Sequence, residues 1–325
     1  MIQSSGFLDQ LHGRRRLGIK VHFGEDGNRT HLSPDYVRIA VETVSRKVAD
    51  CQLIETSTLY RGKRAQAQSH VALAHEHGFT SQRVLAPIAI LDGHQGEDYY
   101  EVPTGLESLP RARLARKLKH FPWILNLAHF KGHFVTGFGG VLKNLAMGLA
   151  AKSGKLAMHS RSRPAVDPRK CTSCGSCVDY CPHQAIAFIR DVAAIGRSCT
   201  GCAGCIAICP AGAIRIDWNE AAANVGRKVV EYAYAVLAGR RALHLNFLIN
   251  VTPNCDCMGT VETPFMPDVG IFGSLDPVAC EQAAFDRAQA GLRKLYPHLA
   301  PEQAIAYAEQ LGLGSRSYEL LELPA

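Results

Sequence analysis

The sequence predicts an α/β fold, a mostly parallel sheet with helices on both faces, interrupted by a cysteine-rich insertion. Three observations carry that prediction. Runs of strand length alternate with segments of helical period, the alternation stops near residue 165 and resumes near 219, and eight of the twelve cysteines fall inside the gap. With 325 residues and 47% hydrophobic content, the chain can bury one large core or two modest ones.

Leu17 to Phe23 reads as the first strand. Ser33 then offers an N-cap, Pro34 fits the first helical position, and Val37, Val41, Val44 and Val48 recur at helical spacing, which completes a βα unit. A second unit joins strand Cys51 to Glu55 with helix Gln66 to His77, ended by Gly78. Pro87 to Leu91 and Trp123 to Ala128 are further apolar runs of strand length. Between them the basic run Arg111 to Lys119, RARLARKLK, reads as a solvated helix face, with docking of an acidic redox partner as the alternative.

Charged residues and two prolines from Arg161 to Pro168 break the pattern. Helical periodicity returns from about Asn219 to Gly239, followed by strands Leu243 to Asn250 and Asp268 to Phe272, then a helix with Asp276 as N-cap and Pro277 behind it. The expected organisation is therefore residues 1–165 as the first part of an α/β domain, 166–218 as an inserted module, and 219–325 as the second part, completing the same sheet.

Inside the insertion, Cys171, Cys174, Cys177 and Cys181 form C-x2-C-x2-C-x3-C before Pro182, and Cys199, Cys202, Cys205 and Cys209 repeat it before Pro210. This is the spacing of a bacterial ferredoxin-like module with two [4Fe-4S] clusters: three thiolates of one run hold three corners of a cubane, and the fourth turns away to the other cluster. One cluster would take Cys171, Cys174, Cys177 and Cys209, and the other Cys199, Cys202, Cys205 and Cys181. A pair of zinc sites would instead be expected to show two separated cysteine pairs per metal. Gly175, Gly201 and Gly204 suit unusual backbone angles near the sulfurs. The runs AIAFI and AIRI that follow each motif suggest paired strands of a pseudo-twofold module.

The cysteine count does not argue for disulfides, because the amino terminus offers no apolar export segment and the spacing is that of metal ligands. No apolar run approaches the roughly 18 residues of a membrane span, so a cytoplasmic location is expected. The formal charge of +7 falls to about +3 once two clusters with their thiolates are counted, and no nucleic-acid motif accompanies it.

A second site is expected on the α/β domain. The segment HFKGHFVTGFGG lies between a strand end and a helix start, where Gly137, Gly139 and Gly140 could present backbone N–H groups to an anion. Its glycines match neither the dinucleotide fingerprint nor a phosphate-binding P-loop. His129, Lys131, His133, Lys143 and His159 surround it in sequence, and earlier strand ends add Lys20, His22, Thr58, Tyr60 and Arg61. Ligands of parallel sheets collect at the carboxyl ends of strands, so these groups would form a basic pocket for an anionic small molecule. Cys255 and Cys257 in TPNCDCMG are too close for the common zinc pair; they read as core or loop thiols, with a ligand or redox role as the alternative. Cys51 and Cys280 read as packed apolar residues.

IKVHFGEDGN, TLYRGKR, HFKGHFVTGFGGVLKNLAMG, the doubled cysteine motif and NCDC together resemble the ferredoxin-containing iron-sulfur centre proteins of domain of unknown function 362, over nearly the whole chain. A more distant similarity is to the lactate racemase family, around His133, Gly137 to Gly140, Lys143 and His159. That resemblance implies a proton-transferring His133, a Lys143 that holds a nickel-pincer cofactor and a nickel-ligating His159; the inserted module departs from the family. The expected function is an iron-sulfur oxidoreductase that relays single electrons to an anionic substrate, or to an additional metal or small-molecule cofactor, in the α/β pocket. Its redox partner would be a ferredoxin, flavodoxin or reductase. The alternatives are a non-catalytic electron carrier or assembly factor docking a larger redox enzyme, and a racemase-like metal enzyme with structural clusters.

Overall fold

The structure, a computed structural model, describes residues 1–11, 16–160, 163–216 and 220–323. In chain order the first part contains β1 (Leu17–Lys20), α1 (Pro34–Ser45), β2 (Cys51–Glu55), α2 (Ala67–Glu76), α3 (Ser81–Val84) and β3 (Ile88–Ile90). A hairpin of β4 (Tyr99–Pro103) and β5 (Arg111–Ala115) leads to β6 (Trp123–His129), a small hairpin of β7 (Lys131–His133) and β8 (Gly137–Gly139), then α4 (Val141–Leu149) and α5 (Lys152–His159). The cysteine-rich module comprises β9 (Ala165–Val166), α6 (Ser176–Tyr180), β10 (Ile186–Ile189), β11 (Val192–Ile195), α7 (Gly204–Ile208) and β12 (Ile214–Arg215). After it come α8 (Ala222–Leu237), β13 (Arg241–Leu248), β14 (Gly270–Ser274), α9 (Pro277–Leu295) and α10 (Glu302–Gln310).

The central sheet has the order β14-β13-β6-β1-β2-β3, and every neighbouring pair is parallel except β13 with β14. The strands on either side of the insertion thus build one sheet, as the sequence predicts. Successive side chains of a strand alternate between its faces. Leu53 and Leu125 accordingly enter a core with Phe7, Val37, Val41, Val44 and Phe79, whereas Ile54 and Ile124 enter another with Leu145, Leu149, Val229, Phe285 and Ile305. Helix α1 covers the first face; α4, α8, α9 and α10 cover the second. Among the described residues, no helix is long and apolar enough to cross a membrane.

Two expectations are corrected. Arg111 to Lys119 is not a helix face: Arg111–Ala115 is strand β5, whose Ala112 and Leu114 are buried while Arg111 and Arg113 point to Glu101 on β4, and a 3-10 turn follows over Arg116–His120. The period is two, and tertiary pairing overrides the helix-forming composition. Nor do the strands after the two cysteine motifs pair with each other. Ile186–Ile189 pairs with β11 through a two-residue turn, Arg190 and Asp191, both at positive φ, and Ile214–Arg215 pairs with β9. The expected boundary between 218 and 219, with Asn219 and Arg161, lies outside the described residues.

Candidate functional sites

In the module, the eight cysteines line two hollows. Cys171, Cys174, Cys177 and Cys209 face one, and Cys199, Cys202, Cys205 and Cys181 face the other. Each hollow takes three cysteines from one run and the fourth from its repeat. Short helices α6 and α7 turn the fourth cysteine of each run away from the first three. The two halves repeat in detail: Ala185 N donates to Cys181 Sγ at 3.3 Å and Ala213 N to Cys209 Sγ at 3.2 Å. Ser173 and Gly201 share a positive φ, as do Gly175 and Ala203. Gly204, expected to need special angles, instead sits in α7, where a side chain would collide with Tyr180. Left-handed angles at Ser173 and Ala203 cost energy and persist only where the surroundings fix them, a feature of built sites. Four soft thiols and an inward backbone N–H around a hollow suit an iron-sulfur cubane. Among the described residues, no three His, Cys, Asp or Glu side chains converge as they would on a single metal ion; each set of four cysteines instead lines a hollow.

The two hollows differ in surroundings. Cys174, Thr172 and Ser173 at the first are exposed. The second lies against the α/β domain, where Arg113 Nη1 donates to Thr200 O at 2.7 Å and the module core packs on Leu59 and Leu156. Lys152 of α5, buried below, feels the charges of Cys202 and Cys205 and has its pKa lowered by burial to about 8.

At the carboxyl ends of the strands the sheet carries a buried polar layer. Lys20 Nζ donates to Glu55 Oε1 at 2.5 Å and Asn144 Oδ1 at 3.0 Å, and both Lys20 and Glu55 are at most 2% exposed. Gly148 of α4 leaves room for that lysine, because a side chain there would meet its Cε. Thr56 N donates to Glu55 Oε2 at 2.7 Å and Lys155 Nζ to Thr56 Oγ1 at 2.5 Å, so buried polar groups run from α5 to Lys20. His129 Nδ1 and Lys131 Nζ lie 2.8 and 3.0 Å from Asp256 Oδ2. These contacts hold Asp256 as a carboxylate well below its usual range despite burial.

His133, Lys143 and His159 act on one another electrostatically. Val135 N and Thr136 N donate to His133 Nδ1 at 3.2 and 3.1 Å, which leaves the ring proton on Nε2, and burial lowers its pKa well below 6.5. Burial and Lys143 lower His159 to about 4. Among the described residues, nothing hydrogen-bonds or ion-pairs with the half-buried Lys143 ammonium. His22 Nδ1 accepts from Gly24 N at 3.0 Å, and Tyr60 OH donates to Glu25 Oε2 at 2.9 Å. Thr58 Oγ1 donates to Tyr60 O, and Arg61 is exposed and reaches toward Gly212 of the module.

The glycine segment differs from its expected role. The first amides of α4, Val141 N and Leu142 N, donate at 2.7 and 3.3 Å to Glu281, a buried carboxylate on α9. Gly140 has no side chain because Glu281 occupies that space, Gly137 packs on Pro301, and Gly139 makes room for Lys131 and Lys143. An internal carboxyl group therefore takes the amides assigned to a ligand. No local signal marked Glu281, which sits in an ordinary helical stretch, or Asp256, whose flanking cysteines drew attention instead.

These buried groups set a pH dependence. His70, His133 and His244, at most 5% exposed, have folded pKa values below 6.5, about 3 for His244. Their unfolded forms bind protons first, so each ring costs stability as pH drops through 6.5. Glu281, raised to about 7 by burial, has the opposite sign and gains about 2 kcal/mol between pH 7.5 and 5.5. Three buried rings outweigh one carboxyl, so urea unfolding should show less stability at pH 5.5 than at pH 7.5, and equal stability would contradict the neutral buried rings.

The family model described as Domain of unknown function (DUF362) matches residues 17–286, and the chain belongs to that family. Among solved structures, the fold is similar to the lactate racemase apoprotein from Thermoanaerobacterium thermosaccharolyticum, at 12% identity and a TM-score of 0.47, over 87% of this chain and 51% of that one. It is also similar to a protein from Thermotoga maritima, at 12% identity and a TM-score of 0.37, over 95% of this chain and 57% of that one. The chain spans little more than half the length of either. No curated protein matches the sequence.

Proposed function

We propose that this member of the domain of unknown function 362 family is an iron-sulfur oxidoreductase. Two [4Fe-4S] clusters would be held by Cys171, Cys174, Cys177 with Cys209, and by Cys199, Cys202, Cys205 with Cys181, and would relay electrons to an anionic substrate or second cofactor at the strand ends. The observation that carries this reading is the crossed division of the eight cysteines between two hollows. When bound, each cluster supplies a one-electron step. The exposed first hollow would face a ferredoxin, flavodoxin or reductase, and the second would face the α/β domain through Lys152. Anaerobically purified protein is expected to contain about eight iron and eight acid-labile sulfide per chain. A reproducible value near four would remove one cluster, and a value near zero the whole reading.

In the α/β domain, Lys143 would supply a cation that has no partner among the described residues, and His133 would present an Nε2 proton to whatever the lysine holds. Lys143→Ala and His133→Ala should keep their iron and melting temperature yet weaken binding or turnover of the true ligand about tenfold or more. That corresponds to roughly 1.5 to 3 kcal/mol per charge-assisted contact. Unchanged activity with the physiological partner would leave the electron-carrier reading in front.

A further inference from the structure

Neither the cysteine hollows nor the Lys143–His133 pair uses the Cys255-Asp256-Cys257 segment, which is nevertheless held as a site is held. Met258 N donates to Cys255 O at 2.8 Å, closing a turn over 255–258. Such a turn keeps its first and last Cα atoms within about 7 Å, inside which Cys255 and Cys257 meet the roughly 4.4 to 6.8 Å separation that a disulfide requires. Cys257 N donates to Cys255 Sγ at 3.4 Å, which turns the Cys255 sulfur toward its partner residue. The turn is fixed from three sides. His129 and Lys131 grip the Asp256 carboxylate, Glu25 N donates to Asp256 O at 2.9 Å, and Tyr60 OH donates to Cys257 O at 3.3 Å.

Charge distinguishes this pair from a metal site and from packing thiols. Lys131 and Lys143 act on Cys255, and Lys143 and Arg64 on Cys257, an environment that repels a metal cation and favours a thiolate. Burial pushes the packed thiol of Cys280 well above its usual range, whereas the Cys257 thiol and the two lysines draw Cys255 down to about 5. Cys255 is only 8% exposed, and Cys257 is the more accessible of the two.

We propose that Cys255 and Cys257 form a dithiol-disulfide centre that exchanges two electrons with a low-molecular-weight disulfide. The Cys255 thiolate attacks the incoming disulfide; one S–S bond breaks, a mixed disulfide forms on Cys255 and a thiolate leaves. Cys257 then gives its proton to solvent or to the departed thiolate and attacks the Cys255 sulfur, expelling the second thiolate. The pair loses two electrons, the external disulfide gains them, and the reverse sequence reduces the pair. None of the eight module cysteines takes part, so the inference stands apart from iron content.

Full-length protein, purified anaerobically, is equilibrated in dithiothreitol redox buffers, acid-quenched, denatured, alkylated and digested with trypsin. The peptide Ala242–Arg287 contains Cys255, Cys257 and Cys280 and no other cysteine. It should carry three alkyl groups at the reducing end and one, on Cys280, at the oxidising end, along a two-electron curve. Three groups at every potential, or a disulfide that includes Cys280, would overturn the assignment. Lys143→Met, with an unchanged melting temperature, should oxidise about tenfold more slowly because less thiolate is present; an unchanged rate would overturn the role given to the lysine.

Discussion

Cys181→Ser is expected to halve the iron content, and to remove it from the hollow of Cys199, Cys202 and Cys205 although Cys181 belongs to the other run. Cys209→Ser should mirror the effect and spare that hollow. The fourth cysteine of each run lines the hollow of its repeat. The loss should extend to folding. The module core consists of a few aliphatic side chains, among them Ile186, Ile206, Ile214 and Ile216, with Cys177, Cys205 and Cys209 packed between them. With the proposed clusters in place, a core this small would depend on metal bonds, which in small metal-bound domains contribute on the order of 10 kcal/mol. Limited proteolysis of Cys181→Ser should therefore cut within 166–216 while the sheet survives, since the two large cores lie elsewhere. Iron analysis with cluster spectroscopy decides between the assignments; damage confined to the Cys171, Cys174 and Cys177 hollow would refute the crossing.

How far the sequence was legible follows from the range of the interactions involved. The βα units declared themselves because their signals are local: Ser33 accepts from Asp35 N, Asp276 from Val278 N and Ala279 N, and prolines follow both caps. The grouping of the cysteines around two hollows is close to the spacing, since all eight lie within 39 residues of chain. The second site was only half visible. Its lysines and histidines could be named, but their partners come from far along the chain: Glu55 for Lys20, Asp256 for Lys131, and Glu281 for the amides of α4. A basic residue seen alone reads as a ligand-binding group; the fold decides whether an internal carboxylate already holds it. Lys20 is held, whereas among the described residues no carboxylate holds Lys143. The basic run at 111–119 failed for the same reason, because the partner that makes it a strand, β4, is set by tertiary pairing.

Glu55→Gln should be among the most destabilising single changes in the α/β domain that spare the backbone. Lys20 would remain fully buried, with Asn144 Oδ1 and Val21 O as acceptors but no counter-charge. Leaving one member of a buried ion pair uncompensated costs about 3 to 5 kcal/mol. Lys20 can limit that cost by giving up its proton: burial already lowers its pKa, and the Glu55 carboxylate is the main force raising it. The escape has a sign that can be tested. With the folded pKa depressed further, the unfolded chain binds the extra proton up to about pH 10.5, so the stability of the variant should rise with pH across the alkaline range. The deficit against wild type, measured by urea unfolding at pH 7 and pH 9.5, should shrink by more than half. Replacing both partners, as Lys20→Met with Glu55→Gln, should cost less than Glu55→Gln alone, because no unpaired charge is left in the sheet. A deficit independent of pH, or a double variant that loses the sum of both single effects, would show that Glu55 acts through its packing and its bond to Thr56 N and not through the charge of Lys20.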